Sequence, residues 1–317
     1  MAPGDLESVD DCPNLYYVDT GMFDVSGYGA VYIYDTARPA VVDTGIGADR
    51  EHVFDALADL GIDDLAFILP THVHLDHAGG AGFLAEAFPD ASVLVHERGR
   101  PHLVDPTRLV RGTKDAVGDA WQHYVEPKTI PAERVDTLGD GESVELGERT
   151  LTAHAAPGHA PHQLVFESDR GTLFTGDAAG IYVGNRAESP ATDDGAPVAG
   201  DEIRETSPPP QFDVQRCLDD VSMLQSLAPE RLCFAHFGPR PYEASLLDRY
   251  KRTLVEWVEA VRRRRERLGD DERVIEHFLT HTELTDIWGE RKGREETRLN
   301  VRGVLTALDR GMVDIDE

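Results

Sequence analysis

Apolar and polar residues alternate along this chain in two rhythms, and the changes between them mark out its elements. Short apolar runs at Leu15 to Val18, Ala30 to Tyr34 and Ala40 to Val42 read as strands, and Asp49 to Leu60 then takes a helical pattern. The run Leu65-Ala66-Phe67-Ile68-Leu69, closed by Pro70, predicts a buried strand. A helix from about Gly80 to Phe88 and a strand from Ser92 to His96 follow. Strands alternating with helices argue an α/β layered domain.

Beyond this the rhythm becomes less regular. Arg100 to Glu126 is polar and mixed, and predicts a helical insertion. From 135 to 177 the turn signals Gly139-Asp140-Gly141, Glu145-Leu146-Gly147 and Asp169-Arg170-Gly171 separate strand-like runs, which is hairpin patterning. Residues 184 to 211 are rich in Gly, Pro, Ala and acids and end in Ser207-Pro208-Pro209-Pro210, so a long loop is expected there. Loops of that length in compact domains are usually functional or mobile. After Pro241 three helical patterns, Tyr242 to Leu268, Glu272 to His281 and Glu295 to Asp309, set residues 242–317 apart from 1–241 as a C-terminal helical domain.

Composition narrows the setting. The formal net charge is −28, from 59 acidic against 31 basic residues, and only four of the basic residues are lysine. Such a charge repels itself, and at molar salt a Debye length of about 3 Å screens that repulsion. The expectation is a halophilic protein that loses structure in dilute buffer. Cys12, Cys217 and Cys233 are scattered thiols with no disulfide framework, which suits a reducing interior. No basic leader with an apolar core opens the chain, and no stretch is long and apolar enough to span a bilayer. A cytoplasmic location away from membranes is expected. The run Arg262-Arg263-Arg264-Arg265 suggests nucleic acid, but acids outnumber bases across 243–317, so a balanced helix face used for packing or for a homodimer contact is the better reading.

The chemistry is concentrated just after the buried strand. Thr71-His72-Val73-His74-Leu75-Asp76-His77 places four ligand-type side chains within six residues. Neutral imidazoles and carboxylates are what a borderline cation such as zinc takes. Three further strand-like runs each deliver one such residue to a loop: His159 after Leu151 to Ala156 and the turn Pro157-Gly158, Asp177 after Leu173-Phe174-Thr175-Gly176, and His236 after Leu232-Cys233-Phe234-Ala235. Five histidines and two aspartates are more than one tetrahedral metal needs, and they suit two divalent ions sharing a carboxylate.

This order and spacing resembles the metallo-β-lactamase superfamily, with its H-x-H-x-D-H signature, distal His, Gly-Asp and final His, over roughly residues 14 to 240. The resemblance implies an αββα sandwich, and the C-terminal helices look like the small winged-helix-type domain appended in some members. It also implies that His72, His74 and His159 hold one metal, that Asp76, His77 and His236 hold a second, and that Asp177 lies between them. Zinc is the first expectation, with iron or manganese as the alternatives. Asp43, in Val42-Asp43-Thr44-Gly45, matches a structural aspartate near the site. The family pattern is broken by Ala160 after the distal histidine and by Phe237 after the last one, departures that bear on the substrate.

The function implied is a dinuclear hydrolase in which a bridging hydroxide attacks a small ester, lactone or thioester and Asp76 relays the proton to the leaving group. The alternatives are an iron-dependent, sulfur dioxygenase-like oxidoreductase and a phosphodiester- or RNA-cleaving enzyme, the latter disfavoured by the net charge. His162 and Tyr182 are candidate substrate contacts, Tyr182 as a donor to an oxyanion. His52, His96, His102, His123, His154, His277 and His281 read as surface or structural.

Overall fold

Alternation along single strands builds the layers. In Ala30–Tyr34, Val31 and Ile33 point to one face of the sheet and Ala30, Tyr32 and Tyr34 to the other, and all five are buried. A strand buried on both faces must lie between two packed layers. The computed structural model, which describes residues 1–185 and 201–313, shows what those layers are.

One sheet is seven-stranded and follows chain order: β1 Leu6–Ser8, β2 Leu15–Asp19, β3 Ala30–Tyr34, β4 Ala40–Val42, β5 Phe67–Leu69, β6 Ser92–Val95 and β7 Val135–Thr137. Its pairings are antiparallel up to β4 and parallel from β4 to β7. The second sheet has the order β15-β14-β11-β10-β9-β8, from β8 Ser143–Glu145, β9 Thr150–Ala155, β10 Leu164–Ser168, β11 Thr172–Gly176, β14 Arg231–Phe234 and β15 Gly238–Pro241. Within it only β11 and β14 run parallel.

Tyr32, Tyr34, Val42 and Leu69 of the first sheet meet Leu151, Ala153, Phe166 and Phe174 of the second, forming the central core. On the outer face of the first sheet Val31, Ile33, Val41 and Ile68 pack against α1 (Arg50–Asp59) and α3 (Ala81–Ala87). On the outer face of the second, Val165, Leu173, Leu232 and Phe234 pack against α6 (Val214–Ser226) and the first turns of α7 (Ala244–Leu268). The result is the expected αββα sandwich. Between β5 and β6 lies the short α2 (Leu75–Ala78), and between β6 and β7 the insertion forms α4 (Arg100–Val104) and α5 (Thr107–Val117).

The C-terminal region is α7, α8 (Asp271–Thr280) and α9 (Thr285–Asp309). No strand follows α7 among the described residues, so the wing of a winged-helix arrangement is not found there. The later part of α7, with Leu254, Val258 and Val261, packs with Val274, Ile275, Val301 and Val304 of α8 and α9. Helix α9 begins before the expected Glu295, with a non-helical break at Gly289. The arginine run is ion-paired: Arg262 to Glu259 at 2.8 Å, and Arg265 to Asp271 at 2.9 Å and Asp309 at 2.7 Å.

One further sequence expectation needs correction, and one helix went unread. The long loop expected over 184–211 is in part an antiparallel ribbon, β12 (Ile181–Asn185) with β13 (Asp201–Arg204), and residues 186–200 lie outside the described residues. Helix α6 has no counterpart in the elements expected above. Its apolar residues Val214, Cys217, Val221 and Leu224 are buried at helical spacing, and the Asp213 side chain caps it by accepting from the Arg216 amide at 3.1 Å. The stretch lies between the loop expected over 184–211 and the apolar run before His236, and its helical spacing went unread.

Candidate metal centre

The ligand-type residues come from different strands that stop at the same edge of the sandwich. The loop after β5 carries His72 and His74 and leads into α2, whose first turn holds Asp76 and His77. His159 follows β9, Asp177 follows β11 and His236 follows β14. All seven converge. Three groups have ligand atoms within 4.8 Å of one another: His72, His74 and His159; His72, His77 and Asp177; and Asp76, His77 and His236.

Distances make the arrangement definite. His74 Nδ1 lies 2.9 Å from His72 Nε2 and 3.1 Å from His159 Nε2. The Asp177 carboxylate stands between the groups, with Oδ2 3.2 Å from His159 Nε2 and Oδ1 3.4 Å from both His77 Nε2 and His236 Nε2. Asp76 Oδ2 is 3.6 Å from His77 Nε2.

Surrounding groups fix the rings from behind. His236 Nδ1 donates to the Tyr28 carbonyl at 2.8 Å, which leaves the Nε2 lone pair facing the centre. His77 Nδ1 meets Asp43 Oδ2 at 3.0 Å, and Asp43 Oδ1 accepts from the Thr71 amide at 2.8 Å. One carboxylate thereby ties the end of β4 to the loop after β5. His159 Nδ1 pairs with Thr206 Oγ1 and His72 Nδ1 with Thr71 Oγ1, each at 3.2 Å. Two glycines permit these approaches. A Cβ on Gly158 would lie 2.3 Å from the Cys217 amide nitrogen, and Gly176 has φ +49° with Thr71 Oγ1 2.7 Å from a Cβ position.

The electrostatics are those of a centre built for cations. Burial and the neighbouring imidazole of His159 pull His74 down to about 3, and burial pulls His159 to about 4, so both are neutral ligand-type rings at ordinary pH. Burial opposes a charge on His77, yet Asp177, Asp76 and Asp43 together lift its pKa well above the ordinary value. Burial likewise opposes charge on Asp177, and the rings of His77 and His159 outweigh it and hold the carboxylate ionised. The buried atoms His77 Nε2 and Asp177 Oδ1 find no hydrogen-bond partner among the described residues. Buried ligand atoms left without a partner among imidazoles and carboxylates fit metal ions.

The cluster forms the floor of a cavity of 570 Å³. His162, a candidate substrate contact, lines it, its ring 5.5 Å from that of His74. Tyr182 does not. It is buried on the opposite face of β12, its ring 5.6 Å from Phe234 and its hydroxyl accepting from Arg240, while the neighbouring Ile181 faces the cavity. Strand alternation is the reason: one position sends Ile181 inward and the next sends Tyr182 into the core.

Sequence reading missed several cavity residues. His102, read as surface or structural, lines the wall with its ring 6.3 Å from His162. Arg98, Arg108 and Ser207 are there too, and α9 contributes Lys292 and Glu296. These last form a buried pair at 2.6 Å, with Glu296 also accepting from the Ser207 hydroxyl and the Lys292 ammonium 4.2 Å from the Phe23 ring centre. A lysine and a glutamate at i and i+4 look from sequence like a solvent-facing pair. Only the docking of α9 puts them inside.

The model of the metallo-beta-lactamase superfamily matches residues 26–236. The chain is similar to a metallo-beta-lactamase fold-containing protein of Sulfurisphaera tokodaii, 26% identical over 72% of this chain and 79% of the relative. It is 33% identical to a hydroxyacylglutathione hydrolase of a Synechococcus strain, spanning 46% of this chain and about half (48%) of that relative. Among solved structures, an archaeal metallo-beta-lactamase superfamily protein from Sulfolobus tokodaii superposes with a TM-score of 0.68 at 21% identity, covering 93% of this chain and 99% of the other. A metallo-beta-lactamase family protein from Thermus thermophilus gives 0.62 at 22% identity, with 95% and 94% covered. At those identities the likeness is one of fold.

Proposed function

The chain belongs to the metallo-beta-lactamase superfamily and is a metallohydrolase of it; from that premise we propose a dinuclear enzyme that cleaves a small ester or thioester. The observation that carries this reading is the Asp177 carboxylate, one oxygen toward His159 and the other toward His77 and His236. His72, His74 and His159 would hold one divalent ion, and Asp76, His77 and His236 the other, with Asp177 shared. Bound there, zinc or a similar cation supplies Lewis acidity and activates the attacking water near neutral pH.

The protein's own groups do the rest. Asp76 lines the cavity half-buried, its carboxyl held below the usual range because His77 and His236 outweigh both burial and the repulsion of Asp177. In its ionised form it accepts a proton from the attacking water and returns it to the leaving oxygen or sulfur. Asp43, Thr71, Thr206 and the Tyr28 carbonyl hold the histidines in one tautomer and orientation. The wall formed by α5 and α9 limits access of bulk water and selects small substrates. We propose on this basis that the helices of 242–317 complete the pocket of a catalytic body formed by 1–241. The relative named for hydrolysis of hydroxyacylglutathione supports an acyl substrate.

Metal content of protein reconstituted with zinc tests the proposal directly. Two equivalents should bind in the wild type, and Asp177→Asn should weaken both sites together. Saturation at one equivalent, or loss of one site alone in the variant, would rule out the shared carboxylate.

A further inference from the structure

Two arginines line the cavity in a chain where acids greatly outnumber bases. Arg98, which follows β6, and Arg108, in the first turn of α5, are both exposed and both line the cavity. Among the described residues neither side chain has an ion-pair or hydrogen-bond partner, whereas Arg50, Arg100, Arg134 and Arg291 all do. A guanidinium presents a planar fork of donors that matches a carboxylate or phosphate, and an unpaired one beside a cavity is available to such a group.

A series of side chains along the wall links Arg108 to the metal centre. From His74 the ring of His162 is 5.5 Å away, and from His162 the ring of His102 is 6.3 Å away. His102 is close enough to Arg108 to feel its charge. Helix α5, which carries Arg108, has no buried residue, and its Leu109 and Val117 face the cavity instead of a core. The cavity therefore joins a reactive floor to a wall of imidazole, aliphatic and guanidinium groups.

We propose that Arg98 and Arg108 form an anion subsite, holding the carboxylate or phosphate tail of a substrate whose ester or thioester bond lies over the histidine and aspartate cluster. The substrate class is then an anionic acyl ester or thioester with a short aliphatic spacer along Leu109 and Val117. This rests on the hydrolase reading above and adds to it the feature that selects the substrate. A tail anchored at Arg98 and Arg108 contributes to ground-state and transition-state binding alike, so its removal should act mainly on KM.

The test compares a phenyl thioester of glutarate, whose far carboxylate is free, with its methyl-capped neutral counterpart, at one fixed ionic strength on zinc-loaded protein. Wild type should favour the anionic thioester about tenfold or more in kcat/KM. In Arg98→Ala/Arg108→Ala that ratio should fall about tenfold, through KM, with an unchanged melting curve. No preference in the wild type, or an equal loss for both thioesters in the variant, would overturn the subsite. If neither thioester is turned over, the ester and thioester reading is what fails, and calorimetry with glutarate and with inorganic phosphate still decides on the arginines. Affinity at least fivefold weaker in the double variant keeps the subsite and tells carboxylate from phosphate; equal affinities for both anions remove it.

Discussion

Asp76 and Asp43 face opposite nitrogens of the His77 ring, at 3.6 Å from Nε2 and 3.0 Å from Nδ1, which separates their roles. Asp76 opens onto the cavity, whereas Asp43 is buried behind the ring and is bonded to the Thr71 amide and hydroxyl. Asp76→Asn should lower kcat by about 10² to 10⁴ with circular dichroism and melting unchanged. Steady-state rates near those of the wild type would remove the proton-relay role. Asp43→Asn keeps a side chain that tolerates the positive φ of 59° at this position, but it loses the carboxylate that orients His77. Zinc affinity should fall about 10- to 100-fold, measured by chelator competition. An affinity within twofold would mean that His77 needs no such support.

Elements determine which of these residues can meet. The turn after β9 reaches the centre because Gly158 lies flat against α6, and its amide donates to Asp220 Oδ2 on that helix at 2.6 Å. Burial raises the Asp220 carboxyl to about 7 from an ordinary value near 3.8. The native state therefore binds a proton that the unfolded chain releases between about pH 4 and pH 7. Stability from this group is fully present below that window and is lost as pH rises through it. In Asp220→Asn the loss should vanish, and the gap between the two proteins should grow by about 2 to 4 kcal/mol from pH 4 to pH 8. Urea midpoints across that range read it out, and parallel pH profiles would refute it. The alternation and helical spacing that define the sandwich were legible from the chain, as β3 and α1 illustrate. The β12–β13 ribbon was not, since composition there is dominated by proline, glycine and acids whichever structure the backbone takes, whereas α6 carries a helical spacing of apolar residues that went unread.

Across the whole molecule, charge is the dominant unbalanced term. With 59 acids against 31 bases, the compact state concentrates repulsion that the unfolded chain can spread out. We propose a halophilic protein on this ground. Lowering sodium chloride from about 3 M to 0.1 M lengthens the screening distance from under 3 Å to about 10 Å and should lower the melting temperature by 10 °C or more. An equal melt at both salt concentrations would show that local ion pairs, such as those of Arg265, already offset the excess. No helix among the described residues is long and apolar enough to cross a membrane.

By itself the sequence determined the chemistry on offer: which residues can ligate a cation, and that each stands where an apolar run ends. This much is readable because strand ends are encoded locally, by a few neighbouring side chains. Tertiary structure alone decided how those residues are used. It turned Tyr182 into the core, brought His102 and the arginines of the insertion to the cavity, and enclosed Lys292 and Glu296 beside it. Whether a side chain faces solvent, core or cavity depends on which distant element packs over it, and no local spacing carries that information.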